Sequence, residues 1–123
     1  MFSHVMVGAD DIDAARKFYD ATFAAFGGPK AVLDPNGRLV YQHKGGVFIV
    51  TKPINGAPAS GANGGTIGFA MSPDQADAWW KAGTETGGTS CEDPPGLPEG
   101  SPYYLAYLRD PSGNKLCALH VVS

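Results

Sequence analysis

Cysteine and charge are both scarce in this chain of 123 residues. Its two cysteines, Cys91 and Cys117, cannot build a disulfide framework, so we expect two free thiols in a cytoplasmic protein. Charged residues make up 17% of the chain and its net charge is -3, with no basic patch, which argues against a nucleic-acid partner. There is also no apolar run of transmembrane length and no signal peptide with a basic start, so no membrane partner is expected.

Turn-forming residues, by contrast, are abundant, with 17 glycines and 10 prolines. Such a composition favours many short strands over a bundle of long helices. The chain length suits one compact domain with a core of its own.

The pattern strand–helix–strand–strand–strand occurs twice and is the main organisational signal. We predict a first module over residues 1–53, a Gly/Pro-rich linker over 54–65 and a second module over 66–123, all within one domain. The first module has predicted strands at 2–7, 31–33, 38–43 and 47–51, and the second at 66–71, 89–92 and along the hairpin 103–121. Asp10 or Asp11 can cap the first helix, and Ser72, Pro73 and Gln75 form a capping-box start for the second.

Aligning the two copies pairs positions that should be structurally equivalent. These pairs are His4 with Thr66, Val5 with Ile67, Phe18 with Trp80, and Ile49 with Cys117. Trp79 and Trp80 have helical spacing, which is more typical of core packing than of ligand stacking.

The closing hairpin turns at Asp110-Pro111-Ser112-Gly113-Asn114, where Gly113 or Asn114 can supply a positive φ. Strand alternation sends Tyr104 to one face and both Tyr103 and Tyr107 to the other. One of these sets is expected to face a cleft, and the sequence leaves open which one.

Two segments resemble the vicinal-oxygen-chelate superfamily of glyoxalases, bleomycin-resistance proteins and extradiol dioxygenases. One is His4-Val5 leading into Asp10-Asp11-Ile12-Asp13-Ala14-Ala15-Arg16-Lys17-Phe18-Tyr19. The other is Leu108-Arg109-Asp110-Pro111-Ser112-Gly113-Asn114-Lys115-Leu116. The resemblance implies an α+β fold in which two βαβββ modules pair into a curved mixed sheet enclosing a cleft. It also implies a homodimer, since short members of the family often pair.

Catalytic members of that family hold a divalent metal through ligands on the first and fourth strands of each module. By resemblance these positions fall on His4, Ile49, Thr66 and Cys117, of which only His4 matches. Three ligands and an open position are typical of a catalytic metal, so we predict no metal site and no cofactor, with a weakly held divalent ion as the alternative. His4 could instead be a buried strand residue, and Cys117 a small buried hydrophobe.

We therefore expect a protein that binds a small organic molecule in an aromatic-lined cleft, with a largely lost metal site. The alternative is a metal-dependent lyase of the lactoylglutathione-lyase kind, or an extradiol dioxygenase, with an altered ligand set of His4 and Cys117 plus a further residue such as Gln42 or His43. The candidate ligand-binding residues are His4, Met6, Tyr41, Thr66, Tyr104, Tyr107 and Cys117.

Overall fold

The fold, described for residues 1–122 in a computed structural model, repeats one βαβββ module twice. The first module contains β1 (Val5–Gly8), α1 (Ile12–Ala24), β2 (Val32–Leu33), β3 (Leu39–His43) and β4 (Gly46–Thr51). The second contains β5 (Ile67–Ala70), α2 (Pro73–Glu85), β6 (Thr89–Ser90), β7 (Tyr103–Arg109) and β8 (Lys115–Val121). The α+β class and the internal repeat are confirmed. None of the helices formed by residues 1–122 is long and apolar enough to cross a lipid bilayer.

Both helices begin at the capping residues that the sequence indicates. The Asp11 side chain accepts a hydrogen bond from the Ala14 amide. Ser72 and Gln75 exchange hydrogen bonds between side chain and backbone, which completes the predicted capping box. Because these bonds satisfy amides that the first helical turn leaves free, they define where each helix starts.

The predicted first strand begins too early. β1 starts at Val5, opposite Phe48 of the neighbouring strand β4, whereas Phe2 lies outside the sheet with its side chain exposed. The register of this pair would place Phe2 opposite Gly45, one residue before β4 begins, so Phe2 has no residue of β4 to pair with.

The predicted equivalence of Phe18 with Trp80 is off by one residue. Three residues separate β1 from α1, but only two separate β5 from α2, so the N-caps Asp11 and Ser72 align. Phe18 then matches Trp79, and these two side chains are fully buried. Trp80 is half-buried at the edge of the core.

The two sheets are separate hydrogen-bonded units with the same topology. Their strand orders are β1-β4-β3-β2 and β5-β8-β7-β6, and in each the first strand runs parallel to the last. Met6 of β1 lies opposite Ile49 of β4, and the equivalent residue of β5, Gly68, lies opposite Cys117 of β8. The predicted equivalence of Ile49 with Cys117 is therefore confirmed.

Each sheet has one face covered by helix and one without helix, which we call the open face. The covered faces hold alternate residues such as Phe48 and Val50 in the first sheet and Leu108 and Leu116 in the second, all buried. α1 and α2 pack against each other, and both covered faces contribute to one continuous core. The intervening residues of each strand must therefore point to the open faces.

Candidate functional site

A cavity of about 480 Å³ lies where the edge strands β1 and β5 of the two modules approach each other. We call it the seam cavity. Met6 and Gly8 line it from β1, Thr66 from the position directly before β5, and Lys115 from β8. The segment 58–62 of the predicted linker forms another part of its wall. The cavity thus combines both modules and the chain that joins them.

The predicted linker contains no strand or helix, but it is held against both modules. The Ala59 amide donates a 2.7 Å hydrogen bond to the Asp10 carboxylate of the first module. Gly61 lies so close to Gly113 of the closing turn that a Cβ at position 61 would stand 2.8 Å from the Gly113 carbonyl oxygen. Since these contacts seat the linker, the wall of the seam cavity has a defined position.

Of the seven predicted binding residues, Met6 and Thr66 are brought together at the seam cavity. His4 directly precedes β1 and is exposed, with its Nδ1 atom 2.8 Å from the Ser3 hydroxyl oxygen. The alternative interpretation of His4 as a buried strand residue is therefore wrong. The physical reason is that the β1 ladder starts only at Val5, one residue further along.

Cys117 and Tyr107 lie side by side on the open face of the second sheet. Cys117 is only 5% exposed, and burial raises the pKa of its thiol. Nearby, Lys115 forms an ion pair with Glu92, and its Nζ atom lies 5.1 Å from the centre of the Tyr107 ring. A protonated, buried thiol is a poor nucleophile and a poor metal ligand, as expected for a small hydrophobe.

Tyr41 and Tyr104 lie on the helix-covered faces, away from the other candidates. The Tyr41 hydroxyl donates to Asp20 at 2.8 Å, and burial raises the pKa of this phenol. The Tyr104 hydroxyl donates to Asp77 of α2 at 2.6 Å, a bond that raises its pKa to about 12. Alternation therefore puts Tyr103 and Tyr107, not Tyr104, on the open face.

Sequence reasoning missed the role of the closing turn in joining the two modules. The Asp110 carboxylate accepts hydrogen bonds from the Tyr19 hydroxyl of α1 and from the Asn114 side-chain amide. Asn114 also donates to the Gly8 carbonyl at 2.8 Å, and the Ser112 hydroxyl accepts from the Asp10 amide. Only the burial of Asp110 and Asn114 in the fold reveals that this motif connects the modules.

The residues at the family's metal positions do not fit a catalytic divalent centre. Ile49 has no donor atom, Cys117 is a buried thiol with a raised pKa, and Thr66 offers one hydroxyl. Within residues 1–122, no three His, Cys, Asp or Glu side chains are grouped so that they could hold a metal ion. His43, considered as an additional ligand, lines a groove beside Phe48 of the covered face, and Gln42 is exposed on the open face.

The fold places this chain in the class of proteins built from two paired βαβββ modules. In each module the first strand runs parallel to the last, and a helix covers one face of the sheet. Residues 1–118 match the family model described as "Glyoxalase/Bleomycin resistance protein/Dioxygenase superfamily". The chain belongs to this superfamily.

Solved structures support the same assignment. A glyoxalase/bleomycin resistance protein from Albidiferax ferrireducens T118 is 52% identical, with 98% of each chain covered and a TM-score of 0.90. A lactoylglutathione lyase from Agrobacterium tumefaciens is 25% identical, with a TM-score of 0.65. The match covers 97% of this chain and 92% of the lyase chain. A family enzyme from Burkholderia phytofirmans PsJN, 19% identical with 97% of each chain covered and a TM-score of 0.72, shares the fold. No curated protein matches the sequence.

Proposed function

We propose that this protein binds a small organic molecule in the seam cavity without the help of a metal ion. The observation that carries the proposal is the cavity itself, whose volume of about 480 Å³ is in the range typical of small-molecule sites. Its position at the junction of two structural units is also typical of ligand sites. Met6 supplies an adaptable apolar contact, and Thr66 supplies a hydroxyl that can both donate and accept.

The open face of the second sheet extends the site with aromatic surface. Tyr107 is half-buried there, next to Cys117, and Lys115 supplies a cation already balanced by Glu92. Because that charge is paired, the site favours a ligand of low net charge over a strongly anionic one. Cys117 belongs to this proposed surface as a contact rather than as a metal ligand.

We also propose that a second copy of the chain completes the cleft. Apolar side chains on the open faces are exposed in the single chain, among them Met6 (43% exposed) and Val121 (57% exposed). Covering them in a homodimer would remove apolar surface from water and close the cleft over a ligand. Size-exclusion chromatography with light scattering would detect the dimer, and a monomer at all accessible concentrations would contradict it. A cytoplasmic location likewise stays a prediction.

The binding proposal is tested by screening small, uncharged organic molecules by ligand-observed NMR in the presence of a chelator. Met6→Trp should fill the seam cavity and abolish binding of any hit, whereas Lys17→Trp, at an exposed position of α1 outside the cavity, should retain it. Binding that persists unchanged in folded Met6→Trp would overturn this location.

A metal-dependent lyase is the second candidate, favoured only by the similarity to the Agrobacterium lactoylglutathione lyase. Metal analysis of protein purified without chelator and without a His-tag separates the two functions. Stoichiometric metal that disappears in His4→Ala would support the lyase and overturn the metal-independent proposal. Absence of metal after soaking with Zn²⁺, Ni²⁺, Mn²⁺ or Fe²⁺ would exclude the lyase.

A further inference from the structure

A second, chemically different hollow lies on the helix-covered side of the first sheet. It is a groove of about 210 Å³ between the C-terminal end of α1, the β3–β4 hairpin and the edge strand β5. We call it the aromatic groove. Its lining includes Phe23, Phe26, Tyr41, His43, Phe48 and Phe69.

The aromatic rings of this groove form one connected cluster. Phe23 contacts Tyr41, Phe48 and Phe69 with ring centres 4.7 to 5.4 Å apart, all in edge-to-face geometry. Phe26 and Phe69 are 6.1 Å apart and nearly parallel, at 27°. A cavity of about 150 Å³ with apolar walls suffices for a benzene-sized molecule, so this groove can hold a single substituted ring.

Hydrogen-bonding groups are few along the groove, and this limits what can bind. The Tyr41 hydroxyl already donates its hydrogen bond to Asp20, so Tyr41 presents its ring to the groove rather than a polar atom. His43 is half-buried, with its ring centre 5.8 Å from that of Phe26. A ligand would therefore need to be mostly apolar, with one polar group near His43.

The lysine Lys44 lies at one end of the aromatic groove and carries a positive charge. Phe26, His43 and Phe69 also line an adjoining hollow whose wall includes Lys44. Lys44 and Gly45 have φ values of 47° and 83°, and His43 pairs with Gly46, the pattern of a tight type I′ hairpin. This turn holds Lys44 beside His43, and Lys44 forms no ion pair within the described part of the chain.

We propose that the aromatic groove is a second binding site, which takes a small monocyclic aromatic carboxylate. The ring lies among Phe23, Phe26, Phe48 and Phe69, where ring–ring contacts add to the burial of apolar surface. The carboxylate extends past His43 to Lys44. The site is separate from the seam cavity, since these aromatic residues belong to the covered faces, to α1 and to the turn after α1, whereas Met6 and Thr66 lie toward the open faces.

The test uses benzoate, benzyl alcohol and cyclohexanecarboxylate as probes on the intact chain, with affinities from NMR titration. Benzoate should bind most tightly, because benzyl alcohol lacks the charge and cyclohexanecarboxylate lacks the flat ring. Lys44→Met should weaken benzoate binding by about two- to five-fold, as expected for an exposed ion pair, and leave benzyl alcohol unchanged. Lys81→Met, an exposed lysine on α2, is the matched control and should change neither.

Occupancy of the groove itself is tested with Val5→Phe, which adds volume to a half-buried lining residue. The affinity for benzoate should fall by at least about ten-fold in the Val5→Phe variant. It should be unchanged in the control variant Val122→Phe, whose substitution lies outside the groove. In wild-type protein, benzoate should give intermolecular NOEs to Phe26 and Phe69, a readout independent of how the variants fold. Absence of these NOEs, or equal affinity for all three probes, would overturn the proposal. Benzoate binding should persist in Met6→Trp, so the seam-cavity proposal can fail separately.

Discussion

The Tyr19 hydroxyl of α1 donates a 2.5 Å hydrogen bond to the Asp110 carboxylate, 91 positions away in the closing turn of the second module. Both side chains are buried. Asp110 also accepts from the Ser112 and Asn114 amides, so one carboxylate organises its own turn and joins it to the other module. Together with the Asn114–Gly8 and Asp10–Ser112 hydrogen bonds, this contact joins the closing turn to the first module beside the seam cavity.

Replacing Tyr19 with Phe should reduce the free energy of unfolding by about 1–3 kcal/mol, because Asp110 would lose one buried hydrogen-bond donor. Urea denaturation monitored by tryptophan fluorescence measures the change. Tyr103→Phe removes the same hydroxyl from an exposed side chain and should stay within about 0.5 kcal/mol of the wild type. Equal effects of the two variants would contradict the role assigned to the Tyr19–Asp110 bond.

Stability should fall in alkaline solution because phenols that are buried or hydrogen-bonded to a carboxylate resist ionisation. Burial, with Asp110 beside it, raises the pKa of Tyr19 well above its ordinary value, and the bond to Asp77 raises that of Tyr104 to about 12. The unfolded chain releases these protons near pH 10, so the stability they contribute is complete below about pH 10 and is lost as pH rises further.

This prediction is checked by measuring the free energy of unfolding from about pH 8 to about pH 11. The Tyr19→Phe variant should lose less stability over that range than the wild type, since it has one phenol fewer to ionise. A wild-type stability that rises above pH 10 would contradict the assignment.

Gly83 allows α1 and α2 to approach closely. A Cβ at this position would lie 2.3 Å from Cδ1 of Leu108 and 3.1 Å from the Phe18 ring. Gly83→Ala should therefore destabilise the protein by about 1–3 kcal/mol through overpacking, although alanine is the better helix former by about 1 kcal/mol. Gly68→Ala is the control, because a Cβ there meets no atom within 4 Å. Thermal unfolding of both variants measures the difference.

The two thiols should differ in their rate of alkylation. Cys117 is buried with a raised pKa, whereas Cys91 is half-exposed. Iodoacetamide at about pH 8 should therefore modify Cys91 first, and peptide mass spectrometry would resolve the order. Cys117 in a Cys91→Ser variant should react more slowly than a free peptide thiol. A faster rate would indicate an activated thiol at the family's last metal position.

Local chemistry explains which features the sequence determined by itself. Asp11 and Ser72 define the helix starts because capping depends on neighbouring residues alone. Gly113, with φ of 92°, closes the final hairpin turn as its composition predicts. The repeat of the βαβββ module follows from such signals occurring twice in the same order.

Only the tertiary structure decided which faces are open. Alternation separates Tyr104 from Tyr103 and Tyr107, but it does not say which set lies beneath α2. That depends on where the helix packs, and here the Tyr104–Asp77 bond shows it. The seam cavity, the aromatic groove and the Tyr19–Asp110 contact likewise join residues far apart in the chain, and such contacts arise only from how the modules pack together.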